Sequence, residues 1–270
     1  MAGKKKKRSG LSGSALLADD RRHILSADSN FFIREAYKTL RTNTMFALAG
    51  QEGCKIILVT SALQGEGKSI SALNLAISFA EAENRVLLID CDLRRPKLAR
   101  LLRKSSRVGL SNLLLDPSLL GEVLIPGGVD RLDVILSGDI PPNPSELLGS
   151  ARMSALLAQL REKYDYILLD TPPVNMVTDA VVLAPKSDGV LFVVRAGRSE
   201  RGPIAHAVEQ LGYAQAKILG FVLDDVTASS GSYGYGKYKR YGYGRSYGYG
   251  YGYSSRQKAP DGTPTGDGPP

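Results

Sequence analysis

The segment Lys55–Ser69 (KIILVTSALQGEGKS) constrains this chain more than any other. An apolar, strand-like run over Lys55–Thr60 gives way to a loop with two glycines, Gly65 and Gly67, and then to Lys68-Ser69 at the head of an apolar helical segment. From Ala62 to Ser69 it has the form [GAS]-x-x-x-x-G-K-S, with Ala62 where glycine is commonest. Glycines at these positions let backbone N–H groups turn inward around phosphate oxygens, beside the positive end of the following helix. Lys68 then reaches the β- and γ-phosphates, and the Ser69 hydroxyl ligates Mg²⁺. Gln64, Gly65, Glu66, Gly67, Lys68, Ser69 and Ile70 are therefore the expected ATP-binding residues.

Such a loop needs a strand before it and a helix after it, and the rest of the chain continues that alternation. Strands are predicted at Lys55–Thr60, Arg85–Ile89, Leu132–Leu136, Tyr166–Leu169, Gly189–Val194 and Lys217–Leu223. Helices are predicted over Ser69–Glu83, Glu146–Lys163 and Arg201–Leu211, with an amphipathic helix over Asn30–Leu48 whose apolar positions are Phe32, Ala36, Tyr37, Leu40, Met45 and Leu48. Short apolar strands alternating with helices imply an α/β fold, P-loop NTPase-like, with a mostly parallel sheet covered on both faces.

Charge divides the chain differently. The formal net charge is +8. Residues 1–10 carry +5 and residues 228–270 carry +4, which leaves 11–227 at −1. A nearly neutral body argues against a nucleic-acid groove, so no specific nucleic acid is expected. Residues 1–25 read as a basic, disordered segment, 26–228 as the P-loop domain and 229–270 as a flexible tail. Within 231–253 there are nine tyrosines (Tyr233, Tyr235, Tyr238, Tyr241, Tyr243, Tyr247, Tyr249, Tyr251, Tyr253) and no aliphatic residue. The apolar runs are strand-sized, far short of the roughly 20 residues of a bilayer span, and no secretory signal is read at the N-terminus. Cys54 and Cys91 read as buried, reduced thiols.

Two acidic segments fit the chemistry of the loop. Val86–Ile89 runs into Asp90-Cys91-Asp92, and Tyr166–Leu169 into Asp170. Parallel strands share one carboxyl edge, where ligands bind. Asp90, Asp92 and Asp170 could thus gather with Ser69 around one hydrated Mg²⁺, a hard cation that prefers oxygen.

With these residues in view, the chain resembles the bacterial tyrosine kinases of capsule and exopolysaccharide synthesis. Asp90-Cys91-Asp92-Leu93-Arg94-Arg95-Pro96 matches that family's D-x-D-L-R-x-P. Gly138 with Pro141-Pro142-Asn143-Pro144-Ser145-Glu146-Leu147-Leu148 matches its G-x-x-P-P-N-P-S-E-L-L block, and Asp170-Thr171-Pro172-Pro173 its third acidic motif. Independently of family, Asn143-Pro144-Ser145-Glu146 reads as a helix start.

The resemblance implies an ATP- and Mg²⁺-dependent autokinase. Lys68, Asp90, Asp92 and Asp170 would be catalytic, Asp90 assisting deprotonation of the acceptor, and the nine tail tyrosines would be the acceptors. It associates Glu35, Lys38 and Arg41 with ring-like oligomers; Lys38 stands where arginine is usual, and on sequence alone a solvated helix face fits the triplet too. It also implies a separate membrane polysaccharide co-polymerase as activator, an opposing protein-tyrosine phosphatase, and a cytoplasmic position at the inner face of the plasma membrane through that partner.

Other departures are Gln64, where proline is usual, and Leu223-Asp224, where a Leu-Asn pair is usual near the base. The alternative from another class is a partitioning or septum-positioning ATPase switch. Those proteins carry an extra lysine early in the loop, where this chain has Leu63. A third reading makes the tail a single-strand-binding segment through tyrosine stacking, as an activity secondary to the nucleotide site.

Overall fold

The computed structural model describes residues 21–106 and 108–226. Its centre is a seven-stranded sheet: β1 (Lys55–Ser61), β2 (Val86–Asp90), β3 (Leu124–Pro126), β4 (Leu132–Ile135), β5 (Tyr166–Asp170), β6 (Gly189–Arg195) and β7 (Ile218–Asp224). The spatial order is β3-β4-β2-β5-β1-β6-β7, and every pairing is parallel except β3 with β4.

The alternation of side chains explains the two-sided burial. Ile56, Leu58, Leu87, Ile89, Ile167 and Leu169 point to one face, whereas Ile57, Val59, Val86, Leu88, Tyr166 and Leu168 point to the other. Because both faces are covered, neither set shows a polar partner, and the strands read as continuous apolar runs. The first face is covered by helices Ala151–Arg161 and Arg201–Tyr213, through Met153, Leu156, Leu157, Leu160, Ala207 and Leu211. The second is covered mainly by helix Lys68–Ala80, whose Phe79 stacks on Tyr166 with ring centroids 3.9 Å apart.

All six predicted strands are present to within one residue at each end. Some expectations need correcting. The predicted helix over Glu146–Lys163 is two helices, Pro144–Gly149 and Ala151–Arg161, because Ser150 adopts an extended conformation and its hydroxyl accepts from the Met153 N–H to cap the second. The helix Phe31–Ala47 does not bury the whole predicted stripe. Leu48 is buried and Tyr37 and Leu40 pack against the core, but Phe32 and Met45 are exposed, together with Phe31 and Phe46. Residues 21–25, expected within the loose N-terminal segment, pack on the domain: Leu25 is buried, and Asn74 holds the chain there by accepting from the Leu25 N–H at 2.7 Å and donating to the His23 carbonyl at 2.8 Å. Cys54 and Cys91 are buried free thiols. Residues 1–20 and the tyrosine-rich tail lie outside the described residues.

Leu168 sits at the centre of the sheet with no exposed surface. Leu168→Ala is expected to lower the unfolding free energy by about 2–5 kcal/mol, read as a lower urea midpoint with an unchanged slope.

Candidate active site

Sheet register assembles the site. β5 lies between β1 and β2, with Asp170 opposite Val59 on one side and opposite Asp90 on the other. The phosphate loop leaves β1 at that same edge. Crossing hydrogen bonds fix the three segments together: Cys91 N–H to the Asp170 carbonyl (2.8 Å), Thr171 N–H to the Val59 carbonyl (3.1 Å) and Val174 N–H to the Ser61 carbonyl (2.9 Å).

Helix Lys68–Ala80 opens directly from the loop. Its N-cap, Gly67, has φ +91° and no side-chain cap, so no capping oxygen occupies the helix end, where an anion could be received. Any side chain at Gly67 would also collide with a carboxylate, because a Cβ there would stand 2.3 Å from Asp224 Oδ2. Asp224 ends β7, and burial raises its pKa although Arg195 opposes the shift. The departure from asparagine at this position therefore puts an acidic group against the phosphate loop.

The Lys68 ammonium is buried between carboxylates, 3.2 Å from Asp92 Oδ2 and 3.9 Å from Asp170 Oδ1. Burial alone would lower its pKa, but the charges of Asp170, Asp92 and Asp90 outweigh that and raise it. Asp90 is wholly buried; its two oxygens accept from the Asp92 N–H (3.2 Å) and the Leu98 N–H (3.1 Å). Burial, then the nearby Asp170 charge, holds Asp90 well above the usual carboxylate range. Asp170 is also raised by burial, against the pull of the Lys68 charge and the Ser69 hydroxyl, which lies nearby without making a hydrogen bond to it.

Neither carboxylate oxygen of Asp170 has a hydrogen-bond partner among the described residues. Three buried carboxylates around one lysine leave an excess of negative charge, and a buried carboxylate without hydrogen bonds is costly unless further cationic charge joins Lys68 beside it. This donor set fits a hydrated Mg²⁺. It is not a ready-made cage: among the described residues, no group of three or more His, Cys, Asp or Glu side chains is arranged to hold a metal. Asp90 and Asp92 are already engaged by backbone N–H groups, Asp92 Oδ1 accepting from Arg95 at 3.0 Å. These hydrogen bonds orient the two acids and leave further lone pairs on their oxygens. Mg²⁺ commonly takes only one or two carboxylates and keeps several waters and phosphate oxygens.

Arg94 and the P-P-N-P-S-E block act together as a brace. Arg94 is not a free phosphate contact. Its guanidinium pairs with the fully buried Asp179 (3.0 and 3.1 Å) and reaches Ser145 Oγ at 3.1 Å, while the Ser145 hydroxyl donates to Asp179. The P-P-N-P-S-E block thereby braces the loop that carries Asp92. Asn143 occupies the N-cap position and Pro144 the first helical position, but the Asn143 side chain donates to Glu146 Oε2 at 3.0 Å instead of accepting from the backbone. Gly138 is required by its φ of +76° and by Asn112 and Ser111, which crowd the place a Cβ would take. Asp179 carried no signal in the sequence, because its importance arises from burial beside Arg94.

Glu35, Lys38 and Arg41 lie along helix Phe31–Ala47 but do not act as one charged stripe. Glu35 and Lys38 pair with each other at 2.7 Å, while Arg41 turns inward to donate to the Ser78 carbonyl.

A parallel sheet with a phosphate loop and acidic residues on one edge defines a P-loop nucleotide-binding domain. The AAA domain family profile matches residues 54–216. The chain is 40% identical over 202 residues to the tyrosine-protein kinase YwqD of Bacillus subtilis, spanning 74% of this chain and 85% of that protein. The kinase domain of the Escherichia coli tyrosine kinase ETK superposes with a TM-score of 0.69 at 34% identity, covering 80% of each chain. The chain belongs to the bacterial tyrosine kinases, within the AAA domain family. A plasmid partition protein from Borrelia burgdorferi, at 22% identity and a TM-score of 0.50, covers 66% of this chain and 84% of that one and shares the fold alone.

The surplus of negative charge has a measurable consequence. An acid whose folded-state pKa is raised above its unfolded value of about 3.9 binds more protons when folded, so its contribution to stability falls as pH rises through that interval. Asp170→Asn is therefore expected to raise the melting temperature of the nucleotide-free protein at pH 8 by about 2–4 °C, with the gain vanishing towards pH ~4. A lower melting temperature at every pH would mean that the Asp170 charge is needed to neutralise Lys68.

Proposed function

We propose that this chain is an ATP- and Mg²⁺-dependent protein-tyrosine autokinase that phosphorylates its own C-terminal tyrosines, from one subunit to another, and so regulates polymerisation or export of a capsular or exopolysaccharide. The observation that carries this reading is the Lys68 ammonium buried among Asp90, Asp92 and Asp170 at the mouth of a phosphate loop. Phosphoryl transfer asks the protein for positioning and charge neutralisation more than for covalent chemistry.

In this reading the loop amides and the first turn of helix Lys68–Ala80 hold the phosphates, and Lys68 neutralises charge on the transferring group. Mg²⁺, held by Ser69, Asp170 and Asp92 with water completing the shell, would supply Lewis-acid stabilisation of the phosphate oxygens. Asp90 accepts the proton of the incoming phenol, whose ordinary pKa is about 10. Burial makes it a stronger base than a solvated carboxylate and narrows that gap. The tyrosine oxygen forms its bond to the γ-phosphorus as the bond to the bridging oxygen breaks, and ADP departs.

The tail fits the role of acceptor. Residues 231–253 carry +4, and each phosphate adds about −1.5 to −2, so two nearly cancel the local charge and three reverse it. Repulsion from neighbouring tails and from the acidic site then loosens the assembly. Exposed Phe31, Phe46 and Met45 on helix Phe31–Ala47 support its use, beside the Glu35–Lys38 pair, as a contact between subunits of a ring, with Arg41 bracing the helix against Ser78 from within. Among the described residues no helix is long and apolar enough to cross a membrane. This is compatible with a cytoplasmic protein held at the inner membrane face by a separate polysaccharide co-polymerase, and with resetting by a tyrosine phosphatase.

Lys68→Met is expected to remove phosphotyrosine formation. Mixing full-length Lys68→Met chains with active chains truncated after Ser230 should then place phosphotyrosine on the inactive chains. An unlabelled inactive chain in verified mixed assemblies would rule out transfer between subunits.

A further inference from the structure

The turn after β6 grips the phosphate loop at two points that phosphoryl transfer itself does not explain. Arg195, the last residue of β6, donates through Nη1 to the Gly65 carbonyl at 2.8 Å, and through Nε and Nη2 to Asp225 Oδ2 at 3.1 and 2.9 Å. Its backbone N–H donates to Ser199 Oγ at 2.8 Å, and the Ser199 hydroxyl donates to Glu66 Oε1. Glu66, a buried acid inside the loop, uses Oε2 to accept from the Leu63 N–H at 2.8 Å. Leu63, Glu66, Ser199, Arg195 and Gly65 thus form a closed frame across the loop.

The frame meets a need that the loop's sequence leaves open. Gly65, at φ +85°, has the positive φ that the third residue of a type II turn requires, and Gln64 precedes it in the turn. Proline at that second position pre-sets such a turn, whereas glutamine leaves it free in every state that lacks tertiary contacts. Order in the loop must therefore come from outside. The guanidinium is well suited to this: it is planar and permanently charged, and it spans the Gly65 carbonyl and the Asp225 carboxylate with separate donors.

We propose that Arg195 is a positioning residue for the nucleotide loop: with Ser199 and Glu66 it holds residues 63–66 in the phosphate-receiving shape, replacing the stiffness that proline at position 64 would give. Asp225, adjacent to the last described residue, sets the guanidinium and thereby joins the end of β7 to the loop. The proposal rests on the reading of this loop as a nucleotide site, but not on the identity of the phosphate acceptor.

The test measures affinity for an ATP analogue with a fluorescent ribose label, in Mg²⁺, on the full chain. Arg195→Gln is expected to weaken binding roughly tenfold, the loss of a charge-assisted hydrogen bond, while kcat at saturating ATP changes less than twofold. Ser199→Ala, a smaller change that keeps the fold, should weaken binding by a lesser factor in the same direction. Adding Gln64→Pro to Arg195→Gln should restore most of the lost affinity, and amide hydrogen exchange should quicken over residues 63–69 in Arg195→Gln and slow again in the double variant. Affinity within twofold of wild type in Arg195→Gln overturns the proposal. So does a loss that Gln64→Pro fails to relieve, because the arginine would then act through its charge or through general stability. A wild-type protein that binds the analogue but labels no tyrosine would remove the kinase reading and leave this proposal intact.

Discussion

The structure depends on one buried electrostatic arrangement, the Lys68 ammonium facing Asp92 and Asp170 with Asp90 behind them. Three carboxylates against one lysine would be hard to sustain in an apolar interior without strong geometric enforcement. The parallel sheet supplies that enforcement. Because β2, β5 and β1 are adjacent and in register, their carboxyl ends can deliver Asp90, Asp170 and the loop to nowhere else. The apolar faces of those strands, sealed by helices on both sides, hold the charges in place by burying the chain around them. Stability is thereby spent at the edge where chemistry happens, as expected of a site built to receive a cation and a polyanion together.

Around this cluster the polar contacts form braces rather than isolated pairs. Arg94, Asp179 and Ser145 tie the loop after β2 to the first turn of helix Pro144–Gly149 and to helix Asp179–Leu183. Arg195, Ser199 and Glu66 tie the phosphate loop to the turn after β6. Both use an arginine whose geometry spans two partners, so neither is well replaced by lysine. Asp224 adds a further constraint, an acidic group against Gly67, whose φ of +91° already favours glycine.

Much of this was legible in the sequence because its signals are local. The β1 strand, the glycines and Lys68-Ser69 are contiguous, and apolar runs ending in Asp90 and Asp170 announce strand ends on a shared edge. Signals that depend on tertiary placement were not readable. The three-residue strand β3 ends in Pro126 and pairs antiparallel at the sheet edge, too short for a periodic pattern. Asp179 looks like any helix-start acid until Arg94 is placed beside it. The stripe Phe32–Leu48 predicted a buried helix face, yet periodicity cannot say how much of a face the domain itself covers. The three acids were expected around one metal ion; that backbone N–H groups orient two of them could not be read from their spacing.

In the proposed reaction the Lys68–carboxylate cluster hands the γ-phosphoryl group to tyrosine rather than to water. This transfer is tested most directly by the ratio of phosphotyrosine formed to ADP released during the first turnovers of the full-length protein with ATP and Mg²⁺. A ratio close to one is expected until the tail tyrosines are filled. ADP release that continues with almost no phosphotyrosine would contradict it and make the protein a nucleotide-hydrolysing switch.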